Sequence, residues 1–90
     1  MNPSKKINKL RKEIDKIDQD LIALLKNRFS KAKEIGQVKT SNSLGIDDID
    51  RENKIIKNLS IKANNDLKEE DISNIFKLIF SISKNLQKIK

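Results

Sequence analysis

The chain has 90 residues, 20 Lys plus Arg against 13 Asp plus Glu, a formal net charge of +7, and neither cysteine nor histidine. That length suits one small domain whose core is thin unless association adds buried surface. The missing residue types exclude disulfides, thiolate or imidazole metal sites, Cys or His nucleophiles and histidine bases.

Positive charge points to anionic partners, nucleic acid among them. No basic patch interleaved with aromatics occurs, however, so the lysines are read as solvated helix faces and no nucleic-acid partner is expected. The opening residues, Met1 to Lys6, lead into an amphipathic pattern broken by charges. Neither a signal peptide nor a membrane span is read there, which makes the cytoplasm the default location and a membrane partner unexpected.

Apolar residues then recur in heptads, with Ile7, Ile14, Leu21 and Ile35 in one row and Leu10, Ile17, Leu24 and Val38 in the next. This pattern predicts one long helix over residues 5–40. Gly36 lies inside it and weakens it locally without breaking the phase. Residues 40–45 have loop composition. Asp47, Asp48 and Asp50 then supply a cap and a dipole-compatible first turn for a second helix over 47–63, which carries Glu52, Ile55, Ile56 and Leu59. Asn64, Asn65 and Asp66 make the next break. Ile72, Ile75, Phe76, Ile79, Ile82, Leu86 and Ile89 mark a third helix over 68–89. Nothing reads as a strand, so the expected class is all-α, a single domain over residues 1–90.

The first helix is long for such a domain. Some thirty residues at a helical rise span roughly 50 Å, whereas a compact chain of this size has a radius of gyration of about 12 Å. A second copy of the chain is the simplest cover for the exposed seam, and an intertwined homodimer is expected.

Three arginines, Arg11, Arg28 and Arg51, stand against seventeen lysines. In so lysine-rich a background, Arg is expected mainly where a planar, bidentate, permanently charged fork is needed. Arg28 occupies the heptad row of Ile7, Ile14 and Leu21, and Arg11 and Lys39 lie in the row beside the apolar pair. Arg28 and Lys39 share a face about 16 Å apart along the axis and can reach toward one ligand, whereas Arg11 is roughly 25 Å from Arg28. One small molecule within one chain cannot touch both arginines. In an antiparallel dimer, Arg11 of one subunit can lie opposite Arg28 of the other. The plainer alternative pairs each cation with a carboxylate such as Asp18 across the interface.

Two spaced pairs add to these. Asp48 and Glu52 stand one turn apart at the start of the second helix, and Ser83 and Gln87 one turn apart on the third. Asp48 can equally be a helix cap, and a Ser and a Gln on a polar face can simply be solvated.

Taken together, these residues resemble the all-helical, type II class of chorismate mutase. The matching positions are Leu10-Arg11-x-x-Ile14-x-x-Ile17-Asp18, Leu24-Leu25-x-x-Arg28, Lys39, Asp48-Ile49-Asp50-Arg51-Glu52 and Ser83-x-x-x-Gln87. They extend over about residues 7–87, and their specificity lies in eight separated polar positions matching at once. The resemblance implies an intertwined dimer of three-helix chains whose active sites each borrow an arginine. The implied reaction is the pericyclic rearrangement of chorismate to prephenate on the way to phenylalanine and tyrosine, with no metal or cofactor.

The resemblance also implies roles for individual residues. Arg11 from the partner chain and Arg28 grip the two substrate carboxylates, Ser83 assists, and Arg51 supports. Lys39 and Gln87 donate to the ether oxygen, and Glu52, helped by the backbone at Asp48, accepts from the ring hydroxyl. The chain ends soon after Gln87, which leads to the expectation of a monofunctional enzyme. Phe29, beside Arg28, could face core or solvent. Two alternatives stand beside this reading: an isochorismate-pyruvate lyase of the same fold, and a non-enzymatic basic helical dimer binding nucleic acid or protein.

Overall fold

A computed structural model of the chain describes residues 2–45 and 48–88. Among them the fold is three α-helices, α1 (Pro3–Ser41), α2 (Ile49–Ala63) and α3 (Glu69–Lys88), with no strand. Asp47 and Ile89, named above as a capping acid and a core position, lie outside the described residues.

Each helix end has a local chemical cause. Asn2 caps α1: its Oδ1 accepts from the Ser4 N–H at 2.9 Å and its carbonyl from the Lys5 and Lys6 N–H groups. Pro3 takes the first helical position, where no N–H is needed. At the other end Ser43 turns left-handed, with φ of 56°. The Leu44 N–H then reaches the Lys39 carbonyl at 2.7 Å, and the Ser43 N–H reaches that of Thr40 at 3.2 Å, a closure that satisfies the last carbonyls. Thr40 and Ser41, of loop-like composition, belong to α1. The end of α2 uses the same device through asparagines: Asn64 and Asn65 take φ of 47° and 70°, a conformation Asn tolerates better than most residues. Glu69, Glu70 and Asp71 place negative charge in the first turn of α3, where the helix dipole favours it.

The chain divides into two compact units, one up to Ser30 and one from Lys31 onward. The first is a single stretch of α1. Leu25, Arg28 and Phe29 are half-buried there, while Ile7, Leu10, Ile14, Ile17, Leu21 and Leu24 are about half exposed or more. The apolar seam read from the heptads is thus left open to water.

In the second unit α2 packs on α3. The half-buried Ile55, Ile56 and Leu59 supply the apolar face of α2. On α3, Ile72 and Phe80 are buried, and the Phe80 ring meets Phe76 in a tilted pair with centroids 5.9 Å apart. Only Ala32, Ile72 and Phe80 are buried apolar residues among those described. No described helix is long and apolar enough to cross a membrane.

Candidate active site

The apolar face of α3 becomes polar toward its C-terminus. Phe80, Ser83 and Gln87 succeed one another at helical spacing, so the hydroxyl and the amide continue the inward face that Ile72 and Phe80 begin. Ser83 is buried at 6% exposure and is engaged in a polar interaction. The Oε1 atom of Gln87 is buried with no hydrogen-bond partner. A buried carbonyl without a partner costs about 1–3 kcal/mol; such a group suits a position completed by a ligand. Rotation of the terminal amide exchanges Oε1 for Nε2, so the same position can also present a donor.

Gly36 brings α1 against this amide. A β-carbon built on Gly36 would stand 2.6 Å from the Cα of Gln87 and 2.8 Å from its Cβ, closer than side chains ever pack. Absence of a side chain at 36 thus lets the two backbones meet. Lys39 follows Gly36 by three residues, on the same side of α1 and about 4.5 Å further along. It is half-buried and engaged. Lys39 and Gln87, which spacing could not relate, belong to one neighbourhood.

The start of α2 contributes the acidic side. Asp48 is the N-cap of α2: its Oδ1 accepts from the Arg51 N–H at 3.1 Å and its carbonyl from the Glu52 N–H at 3.1 Å. Arg51 is exposed and Glu52 half-buried. The Glu52 carboxylate meets the Lys84 ammonium of α3, Oε2 to Nζ 3.0 Å. Lys84 follows Ser83 directly. The sequence reading missed it, because nothing sets it apart from the other lysines until the fold brings it to Glu52.

The remaining two cations lie in the first unit, where Arg28 is half-buried and engaged and Arg11 is exposed. Seventeen residues of one helix separate them, about 25 Å along its axis. A groove between α2 and α3, bordered by Asn53, Asn65, Leu67 and Ser73, contains none of the sequence-predicted residues.

The second unit thus carries a buried hydroxyl, an amide with one buried oxygen against Gly36, and a carboxylate joined to an ammonium. Such a set suits binding and polarising an oxygen-rich anion through hydrogen bonds.

The chorismate mutase type II family model matches residues 10–88. The bifunctional chorismate mutase/prephenate dehydratase of Aquifex aeolicus is 32% identical over 87 residues, covering 91% of this chain and 24% of the relative. The chorismate mutase of Methanocaldococcus jannaschii is 31% identical over 84 residues, covering 92% of this chain and 85% of the relative. The solved structure of chorismate mutase (form II) from Thermus thermophilus matches with a TM-score of 0.89 at 30% identity, covering 94% of this chain and 97% of that one. The chain spans less than a quarter of the length of the bifunctional relatives it matches. With the family model matched from the first arginine through Gln87, and the three-helix fold shared with a solved mutase, the chain belongs to the chorismate mutase type II family.

Proposed function

We propose that the chain is a single chorismate mutase domain that converts chorismate to prephenate, a step toward phenylalanine and tyrosine, as a cytoplasmic homodimer with shared active sites. The buried Oε1 of Gln87, which has no hydrogen-bond partner, on an α3 backbone held against Gly36 one turn from Lys39, supports this reading most. It is a polar atom in a packed face that the fold leaves without a bond.

The reaction is intramolecular. One carbon–oxygen bond of the enolpyruvyl ether breaks as a carbon–carbon bond forms to the ring, and no atom enters or leaves. No nucleophile is needed. The protein holds a dicarboxylate in its compact reactive conformer and stabilises the negative charge growing on the ether oxygen. A millionfold acceleration corresponds to about 8 kcal/mol of barrier, a sum that positioning and hydrogen bonding supply together. Lys39 and the Gln87 amide donate to the ether oxygen. Arg28 grips one carboxylate bidentately, Ser83 assists, Arg51 supports from the start of α2, and Glu52, with the Asp48 backbone, accepts from the ring hydroxyl.

The second carboxylate falls to Arg11 of the partner subunit, since Arg11 is too far along α1 from Arg28 to share a ligand of chorismate's size. The open seam supports the dimer: Ile14, Ile17, Leu21 and Leu24 are more than half exposed in the single chain. A continuous apolar stripe of that kind calls for a self-complementary cover.

Incubation with chorismate decides the matter, with prephenate the expected product. Release of salicylate and pyruvate from isochorismate, without turnover of chorismate, would move the assignment to a lyase. Salt-dependent nucleic-acid binding with neither activity would overturn it.

A further inference from the structure

We propose that Lys84 is a positioning residue for the reaction: its ammonium holds one oxygen of Glu52 so that the other is presented to the substrate's ring hydroxyl. This rests on the reading of Glu52 as the hydroxyl acceptor.

The Glu52–Lys84 contact joins two different helices, Oε2 to Nζ at 3.0 Å, with side chains only 21% and 26% exposed. The pairs Lys16–Asp20 and Lys31–Glu34, by contrast, lie within α1 at 60–71% exposure, where ion pairs contribute little. Glu52 and Lys84 border a small groove whose apolar wall is Phe80. Water is partly displaced there, and the attraction is less screened than on an open helix face.

Two needs of the chemistry meet at this contact. A glutamate side chain has three rotatable bonds, and a site that must select one substrate conformer gains from fixing it in advance. The substrate also brings two negative charges toward a carboxylate that is itself negative. An ammonium on the far oxygen of Glu52 offsets that repulsion without using the oxygen that meets the hydroxyl. Lys84 reaches its place because it follows Ser83 and precedes Gln87 by three residues, so one turn of α3 carries all three.

The alternative is that the pair merely ties α2 to α3. A double-mutant cycle on chorismate turnover, with melting temperature followed in parallel, separates the two. Lys84→Met should lower kcat by about tenfold, on the scale expected when a group that orients substrate is misplaced. Lys84→Arg should recover most of that loss. In the Glu52→Ala background, where residue 52 has no oxygen to hold, Lys84→Met should cause little further loss in kcat. Equal losses in both backgrounds, or a lowered melting temperature with unchanged kcat, would overturn the proposal. If Lys84→Met fails to fold, Lys84→Gln takes its place in the cycle. Full activity of Glu52→Ala would overturn the acceptor reading itself, and the role of Lys84 with it. Reduced activity of Glu52→Ala beside normal activity of Lys84→Met would remove Lys84 alone.

Discussion

Gly36 lies so close to Gln87 that an added β-carbon would come within 2.6 Å of the Gln87 Cα. The nearest atom is backbone, which cannot swing aside as a flexible side-chain tip can. Helix propensity favours alanine over glycine by about 0.5–1 kcal/mol, but overpacking typically costs about 1–3 kcal/mol, so the steric effect wins. Gly36→Ala should lower the melting temperature and reduce kcat, because α3 must shift and carry Gln87 with it. Gly45 is the control: it has no neighbour within 4 Å and no positive φ, so Gly45→Ala should leave both unchanged or slightly raise stability. A melting temperature raised by Gly36→Ala would show that the two helices are not in contact.

The amide of Gln87 donates at every pH, whereas a carboxyl donates only while it holds its proton. Gln87→Glu should therefore be active in acid and lose kcat as pH rises through the pKa of the introduced group. The comparison is a pH–kcat profile of the variant beside that of the natural chain, which needs no such protonation at this position. Undiminished neutral activity of Gln87→Glu would remove Gln87 as the donor to the ether oxygen.

Asp48 carries two readings that stability and kinetics separate. As the cap of α2, its side chain satisfies the Arg51 N–H, and its loss should cost about 1 kcal/mol. Asp48→Ala should therefore lower the melting temperature, while Asp48→Ser, which keeps a capping oxygen, should restore it. Since only the Asp48 backbone is assigned a part in binding, Asp48→Ser should also keep KM near the natural value. Restored stability with a sharply raised KM would instead put the carboxylate against the substrate.

How far the sequence reveals this protein depends on whether a feature is local or tertiary. The heptad rows of α1 depend only on residue order, and the exposed seam from Ile7 to Leu24 is their direct consequence. Asn64 and Asn65 likewise announce the left-handed turn that ends α2. The end of α1 is less legible, because Ser43 takes the left-handed position although Gly45 stands two residues away. Periodicity shows Gly36 only as a weak helix former, since its reason lies across the fold in Gln87. Lys84 is one lysine among many until α2 and α3 pack and bring Glu52 to it. The arginines are a mixed case: residue counting separates Arg11 from Arg28 along one helix, but which subunit each serves depends on association.

That dependence can be measured directly. Arg11→Ala and Arg28→Ala should each abolish most activity as pure homodimers if the proposed sites are shared, since each would then leave every site short of one carboxylate clamp. When the two are mixed under conditions that allow subunit exchange, half of the dimers are mixed. In each mixed dimer, the Arg11→Ala chain keeps its own Arg28 and receives Arg11 from the other chain, which makes one site complete and leaves the second doubly defective. About a quarter of the natural activity should return. If each subunit used its own Arg11, mixing would restore nothing, even with exchange demonstrated by a mass-tagged chain. The size of the recovery therefore reports whether α1 completes its neighbour's site or its own.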